Sequence, residues 1–385
     1  MTAHPHLWDI FCTVVDNFGD IGVTWRLARQ LAAEHRVRVR LWVDDLASFK
    51  RIRPEIDPAL DTQHLAGVEV RRWTDPLPDV EPGDVVIEAL ACDLPDEFIE
   101  RMAGREPKSV WLNLEYLTAE AWADGVHGLP SPHPRLDLTK YFFMPGYTAK
   151  TGGLTREAGL PAARDAFQAD ASAQTAFWAG LGQPTRQPGE LRLSLFAYEN
   201  AAIPSLLAAL VRGGRAARLL VPEGKALPPI AAWLGLPELG VGGTHAYRAL
   251  TVHVLPMLDQ DTYDRLLWAC DLNFVRGEDS FLRAQFAARP LVWQAYRQED
   301  RAHFAKLDAF LDLYCAGMPP GLADTTRALW HAWNEEAGVG SLWPAYAGRL
   351  AELNAHARRW CADLATQPDI ASKLMIFCEK VREKG

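Results

Sequence analysis

Short apolar runs alternate with amphipathic helical patterns along this chain, and that alternation limits the folds open to it. A run of about five to eight apolar residues fits one β-strand, and strands separated by helices are joined in parallel. Parallel sheets are covered by helices on both faces, so we expect an α/β protein. The first series of runs occupies residues 7–15, 37–43, 68–73, 84–90, 109–114 and 140–144.

A second series of strand-like runs follows at 191–198, 217–222, 250–256 and 271–275, with helical patterns near 200–212, 224–234, 260–269 and 279–288. A chain of 385 residues is too long for one core. Residues 147–189 are rich in Gly, Pro and Thr, which indicates a connection between domains. We therefore predict two α/β domains, 1–185 and 186–364, facing each other across a cleft. The last segment, about 365–385, is predicted to be a helix that packs back on the first domain.

Composition excludes several classes of function. The net charge is −9 and there is no long basic run, which disfavours a nucleic-acid partner. The six cysteines have no Cys-x-x-Cys spacing and are expected to be buried thiols in a reducing compartment. We find no signal peptide pattern and no apolar run of membrane-spanning length, so we expect a cytoplasmic protein without a membrane partner.

The loop after the first predicted strand, "VVDNFGDIG", carries two carboxylates, Asp16 and Asp20. Its glycines lack the G-x-G-x-x-G spacing of dinucleotide-binding loops, so a dehydrogenase is not expected. Carboxylates at this position attract a cation or accept a proton. The alternative is that Asp20 is a helix N-cap and Asp16 stabilises the preceding turn, and the sequence alone favours capping for Asp20.

A second polar cluster lies in "NFVRGEDSFLRAQFAARPLVW", where a strand, a glycine turn and a helix follow one another. Arg276 can make a bidentate contact with a phosphate, and Ser280 with nearby amides can add neutral donors. Glu278 or Asp279 suits the hydroxyl groups of a ribose or sugar. The alternative is that the acidic residues only cap the helix while Arg276 makes a surface ion pair.

Two further segments are candidates for binding. Phe196 and Tyr198 lie on one side of the end of the strand "LRLSLFAY", where they can hold a base or a sugar, although aromatic residues at alternate strand positions also form cores. The segment "DQD" at 259–261 is similar to the Asp-x-Asp metal site of one glycosyltransferase class. Because it opens a predicted helix, we expect capping instead and predict no catalytic metal.

With these residues in view, the chain resembles the EarP family of bacterial protein-arginine rhamnosyltransferases, which modify translation elongation factor P. The resemblance rests on "IFCTVVDNFGDIGVTWRLARQL", "LSLFAYEN" and "NFVRGEDSFLRAQFAARPLVWQAYRQED". It implies a GT-B fold of two Rossmann-like domains, with the donor dTDP-β-L-rhamnose held mainly by the C-terminal one. It also implies transfer of rhamnose to an arginine guanidinium nitrogen with inversion, without a metal or another cofactor.

The family's functional positions can be carried over to this chain through the matching motifs. Asp16 and Asp20 match its two essential loop aspartates, and Glu278 matches its essential glutamate. Its donor-binding positions correspond to Phe196, Tyr198, Gln260, Arg276, Asp279 and Ser280. Two rival interpretations are a GT-B enzyme with another donor or a small-molecule acceptor, and a sugar-nucleotide-sensing scaffold that only binds elongation factor P. A scaffold has no use for a proton acceptor, so the aspartate pair favours an enzyme.

Overall fold

The computed structural model describes residues 6–15, 18–90 and 92–383. The chain divides into two compact units, Met1–Ala158 with Gln367–Gly385 and Gly159–Thr366. Asp16, one of the predicted site residues, lies outside the described residues. Of the helices that are described, none combines the length and apolarity that a membrane crossing requires.

The first unit contains one sheet of eight strands within the described residues. Numbered along the whole chain, its strands are β1 Leu7–Cys12, β2 Arg38–Val43, β3 Thr62–Leu65, β4 Val68–Arg72, β5 Val85–Ala89, β6 Val110–Leu114, β7 Pro130–Pro132 and β8 Thr139–Phe143. Its helices are α1 Gly19–His35, α2 Leu46–Ile52, α3 Asp96–Gly104, α4 Ala123–Val126 and α15 Ile370–Arg382.

The strand order in this sheet is β3-β4-β2-β1-β5-β6-β8-β7. All six predicted runs are confirmed as strands, and they pair in parallel from β4 to β8. The chain builds outward from β1 to one side and then returns to continue from β5 on the other. In such a sheet, ligands bind beyond the carboxyl ends of the strands where the order reverses, which here is between β1 and β5.

The second unit repeats this plan. Its strands are β9 Leu191–Leu195, β10 Ala217–Pro222, β11 Thr244–Tyr247, β12 Leu250–Leu255, β13 Leu272–Arg276 and β14 Leu291–Gln294, in the order β11-β12-β10-β9-β13-β14. Its helices are α5 Leu160–Ala169, α6 Ala171–Gly180, α7 Ile203–Arg212, α8 Leu227–Leu234, α9 Gln260–Ala269, α10 Asp279–Phe286, α11 His303–Tyr314, α12 Pro320–Asn334, α13 Val339–Ala347 and α14 Leu350–Ala365, with a 3-10 turn at Glu299–Arg301.

The order of the parallel strands again reverses, this time between β9 and β13. The four strands and four helices predicted for this half of the chain are present. The strand β14, parallel to β13, and the antiparallel edge strands β3, β7 and β11 were not predicted. The two units are thus the parallel α/β domains that the alternation predicts, and their strand orders are those of the Rossmann-like domains that the resemblance implies.

The units divide after Ala158, whereas we placed the boundary at residue 185. The difference comes from α5, which packs against α9 of the second unit, and from α6, which packs against α5. The ring of Phe167 lies 5.9 Å from that of Trp268, and the amide of Gln168 donates hydrogen bonds to the carbonyls of Trp268 and Ala287. These contacts join residues about a hundred positions apart. Local composition does not reveal such contacts, and for that reason it places both helices in the connection between domains.

The last helix, α15, returns to the first unit and packs against α1. Ile370, Leu374 and Cys378 belong to the core that covers one face of the first sheet. The carboxylate of Asp369 caps α15 at the amide of Ser372, and the side-chain amide of Gln30 in α1 donates to the same carboxylate at 2.9 Å. The first unit therefore needs the carboxyl terminus of the chain to complete its core.

We predict that Leu374→Ala lowers the free energy of unfolding by about 2–5 kcal/mol, because it leaves a cavity in this core. Ile376 lies on the same helix but is 49% exposed, so Ile376→Ala is the matched control and is expected to cost less than about 0.5 kcal/mol. Urea unfolding followed by circular dichroism measures both. Equal effects at the two positions would contradict this packing of α15.

Candidate functional site

The carboxylate of Asp20 is buried at the switch point of the first sheet. Asp20 lies in the first turn of α1, beyond the carboxyl end of β1, and is only 2% exposed. The N-cap of α1 is Phe18, which makes no side-chain capping bond, so the expectation that Asp20 is the N-cap is wrong. One carboxylate oxygen of Asp20 accepts the N–H of Val15, with 2.9 Å between Oδ2 and N.

The ends of the neighbouring strands also reach this carboxylate. Tyr116 follows β6, and its hydroxyl lies 3.4 Å from Oδ1 of Asp20 and 3.2 Å from the carbonyl oxygen of Leu90, which follows β5. The hydrogen bond from Val15 orients the Asp20 carboxylate, and the Tyr116 hydroxyl, which shares its single hydrogen between Oδ1 of Asp20 and the Leu90 carbonyl, adds a weaker contact. Sequence reasoning missed Tyr116, although its place just beyond a strand of the predicted parallel sheet is the signal that could have identified it.

Cys12, the last residue of β1, is not suited to nucleophilic chemistry. Burial raises the pKa of the Cys12 thiol well above its ordinary value, and the charge of Asp20 acts in the same direction. All six cysteines are buried and free, as predicted from their spacing. The candidate for chemistry at this strand end is therefore the Asp20 carboxylate and not the Cys12 thiol.

In the second unit, the guanidinium of Arg276 lies between two aromatic rings. Its Cζ atom is 4.4 Å from the ring centroid of Phe196 and 4.4 Å from that of Tyr198. Arg276 ends β13, and both aromatic residues follow β9, so the three meet at the second switch point. The cation–π contacts hold the guanidinium in place. Among the described residues, the contacts of the Arg276 guanidinium are with these two rings and not with a surface carboxylate, as the alternative interpretation would require.

The turn after Arg276 is closed by its own side chains. Gly277 has a φ of 60°, which glycine adopts without strain, and Glu278 is the N-cap of α10 but makes no side-chain capping bond. The hydroxyl of Ser280 accepts the N–H of Arg276 at 3.1 Å and donates to its carbonyl oxygen. Ser280 therefore shapes the turn, with its hydroxyl hydrogen already bonded to the backbone of Arg276.

Gln260 and Asp279 are brought together from two helices. The Nε2 atom of Gln260 donates to Oδ2 of Asp279 at 3.1 Å. A buried ion pair between Asp264 and Arg283, with 2.6 Å between the closest atoms, joins the same helices, α9 and α10. The donor positions expected in the second unit thus lie on adjoining elements at the carboxyl edge of its sheet.

The segment "DQD" is confirmed as a helix start, because Asp259 is the N-cap of α9 and its carboxylate accepts the N–H groups of Asp261 and Thr262. Within the parts of the chain that the structure describes, no group of three or more His, Cys, Asp or Glu side chains is arranged to hold a metal ion.

Two residues beside the aromatic stack were not predicted. Tyr263 lies one turn into α9 with its ring 5.7 Å from that of Phe196, and burial raises the pKa of its hydroxyl. Gln294 ends β14, a strand we did not predict, and bonds to the backbone of Tyr198. Tyr263 stands outside the quoted motifs. Gln294 lies within the motif that begins at Asn273, but as an uncharged residue it is not marked there as functional, so the position of its element in the fold reveals it.

The fold has counterparts among solved structures of glycosyltransferases. MurG of Acinetobacter baumannii superposes with a TM-score of 0.51 at 11% identity, covering 98% of this chain and 100% of that one. A UDP-glucosyltransferase of Polygonum tinctorium gives a TM-score of 0.54 at 11% identity, with 98% and 99% covered. At these identities the likeness concerns the fold alone, and it confirms the predicted GT-B class.

The same comparison finds the structure described as "Structural basis for EarP-mediated arginine glycosylation of translation elongation factor EF-P", with a TM-score of 0.71 and 39% identity over 97% of this chain and 99% of that one. Protein-arginine rhamnosyltransferases of Pseudomonas aeruginosa and Shewanella oneidensis are 54% and 45% identical, over 96% and 97% of this chain and 98% of each relative. The family model "Elongation-Factor P (EF-P) rhamnosyltransferase EarP" matches residues 8–379. Nearly the whole chain is matched in each case, and it therefore belongs to the EarP family of glycosyltransferases.

Proposed function

We propose that this protein transfers L-rhamnose from dTDP-β-L-rhamnose to an arginine side chain of elongation factor P, in the cytoplasm and with inversion at the anomeric carbon. The observation that carries the proposal is the buried Asp20 carboxylate, which accepts the N–H of Val15 and lies in the first turn of α1 rather than at its N-cap, in a chain of this family. A carboxylate so placed suits a cationic acceptor.

The donor half of the proposed site is the cluster around Arg276. A guanidinium can bind a diphosphate through two parallel hydrogen bonds, and the backbone N–H groups at the start of α10 add positive potential. Among the residues that the structure describes, the Nε–H of Arg276 is buried without a hydrogen-bond partner, so this N–H is available as a donor. We propose that these groups stabilise the negative charge of the departing dTDP in place of a metal ion.

The remaining donor positions suit the rest of the molecule. Phe196 and Tyr198 offer aromatic faces for the base or the sugar, and Gln260, Asp279 and Glu278 offer polar groups for hydroxyls. Ser280 contributes by holding the backbone of Arg276 in its turn, since its hydroxyl already bonds there. This assignment gives Ser280 a shaping role within the donor site.

The acceptor poses a chemical difficulty, because a free guanidinium is protonated at neutral pH and its nitrogen is a poor nucleophile. An isolated carboxylate is also far too weak a base to deprotonate it. We propose that Asp20 pairs with the acceptor guanidinium and orients one of its nitrogens toward the anomeric carbon. The proton then moves only as bonding to the sugar makes that nitrogen acidic.

The proposed step balances as a single displacement. The bond from the guanidinium nitrogen to the anomeric carbon forms as the bond from that carbon to the diphosphate oxygen breaks. The electron pair of the broken bond leaves with dTDP, and the nitrogen's proton goes to the Asp20 carboxylate. Attack from the face opposite the leaving group inverts the configuration. In this scheme Asp16 holds either the guanidinium or Asp20.

We predict that Asp20→Asn lowers turnover by at least about 100-fold, because the amide keeps the size of the carboxylate but loses its charge and its proton-accepting oxygen. The assay is intact-mass spectrometry of elongation factor P after incubation with the enzyme and dTDP-rhamnose. Wild type should add the mass of one deoxyhexose to one arginine. Wild-type turnover in Asp20→Asn would refute the role of this carboxylate.

The same assay separates the rival functions. A nucleotide-sugar sensor or scaffold would bind both molecules and leave the mass of elongation factor P unchanged. A GT-B enzyme with a different donor would add sugar from UDP-glucose or another nucleotide sugar but not from dTDP-rhamnose. Either outcome with properly folded wild-type protein would overturn the proposed function.

For Glu278 we propose a binding role toward hydroxyl groups of the donor. Glu278→Gln keeps the length of the side chain but weakens its acceptor strength, so KM for dTDP-rhamnose should rise on the order of tenfold with little change in kcat at saturating donor. Steady-state kinetics with the donor varied measures both constants. A fall in kcat at saturating donor with KM unchanged would instead place Glu278 in the chemical step.

A further inference from the structure

The segment that carries Phe196 and Tyr198 runs beside β13 at first, but β13 ends before this segment does. Up to Phe196 the segment continues the ladder with β13, since the N–H of Phe196 donates to the carbonyl oxygen of Phe274 at 3.0 Å. Beyond that point β13 ends at Arg276 and the chain turns into α10. The backbone at 198–199 therefore needs other hydrogen-bond partners.

The side chain of Gln294 supplies those partners. Its Oε1 atom accepts the N–H of Tyr198 at 2.9 Å, and its Nε2 atom donates to the carbonyl oxygen of Glu199 at 3.2 Å. The amide group thus presents an acceptor and a donor as the peptide of an adjacent strand would. Gln294 is 5% exposed, so water cannot readily replace these two bonds.

The end of β14 also contacts the turn that follows Arg276. The carbonyl oxygen of Gln294 accepts the N–H of Gly277 at 3.3 Å, and the indole N–H of Trp293 donates to the carbonyl oxygen of Gly277 at 2.8 Å. Gly277 directly follows Arg276. The end of β14 is therefore bonded both to the loop of Tyr198 and to the turn of Arg276.

The end of β14 is itself fixed by α12. The side-chain amide of Asn334 donates to the carbonyl oxygen of Trp293 at 2.8 Å and accepts the N–H of Ala295 at 2.9 Å. These bonds flank Gln294 on both sides along the chain. The backbone of Gln294 is therefore fixed by α12, and its side chain in turn fixes the loop at 198–199.

We propose that Gln294 is a positioning residue for the donor, setting the spacing between Tyr198 and Arg276. Arg276 lies 4.4 Å from the Tyr198 ring, and cation–π attraction weakens as that separation grows. Without the Gln294 amide, the loop at 198–199 moves away and the guanidinium is no longer held in one orientation for the diphosphate. This inference rests on the proposed function, because it assigns donor binding to the Arg276 cluster.

The test compares wild type with Gln294→Met, which keeps the length and volume of the side chain but removes both amide bonds. KM for dTDP-rhamnose should rise on the order of tenfold, with kcat at saturating donor and KM for elongation factor P nearly unchanged. The control is Gln285→Met, which removes another buried amide of the same unit, bonded to Trp360 and Phe281. It should lower thermal stability without changing KM for the donor.

A second measurement needs no variant. In wild type, the Tyr198 amide should exchange its hydrogen with solvent much more slowly than an unstructured peptide, because it is bonded to a buried acceptor. Exchange of Tyr198 at the unstructured rate would contradict the proposal even if Gln294→Met did not fold. An unchanged donor KM in folded Gln294→Met, or an equal rise in Gln285→Met, would also contradict it.

These outcomes are distinct from failure of the proposed function. If wild type neither binds dTDP-rhamnose nor modifies elongation factor P, the proposed function fails before Gln294 is tested. If wild type does both and Gln294→Met matches it in donor KM, only the role of Gln294 fails.

Discussion

In each unit the parallel strands are laid down outward from a central strand and then continue on its other side. This reversal leaves two adjacent strands, β1 with β5 and β9 with β13, whose following segments diverge to opposite faces of the sheet. Backbone groups and side chains beyond these strand ends cannot all be satisfied by the ladder, and they become available for ligands. Asp20 lies at the first of these positions and Arg276 at the second, so the topology determines where the chemistry can be.

The two positions carry opposite charge, and each is stabilised in its own way. The Asp20 carboxylate is buried and accepts hydrogen bonds from the loop and from Tyr116. The Arg276 guanidinium lies over the rings of Phe196 and Tyr198, with its Cζ atom 4.4 Å from each centroid, and among the described residues its Nε–H has no hydrogen-bond partner. We propose that Asp20 in the first unit serves the cationic acceptor and that Arg276 in the second serves the anionic leaving group.

The sequence predicts the parallel strands well because strands such as β5 (VVIEA) and β9 (LRLSL) are buried along their whole length and carry apolar residues at most positions. It misses β3, β7 and β11 because edge strands are largely exposed and lack that signal. The motif identifies Asp20 but not its surroundings: helix α1 begins at Gly19, two residues earlier than a cap at Asp20 requires, and the contacts of its carboxylate with Val15 and Tyr116 depend on the fold. Gln294 lies inside one of the motifs, but the motif does not predict its role, because that role depends on the pairing of β14 with β13 and on the loop at 198–199.

The central claim is that donor binding belongs to Arg276 and that the acceptor's chemistry belongs to Asp20. Calorimetric titration of dTDP into wild type, Arg276→Ala and Asp20→Asn tests this division directly. The account predicts that Arg276→Ala weakens dTDP binding on the order of tenfold or more, because a charge-assisted bidentate contact is lost, while Asp20→Asn binds dTDP as wild type does. Undiminished binding in Arg276→Ala, or an equal loss in Asp20→Asn, would contradict it.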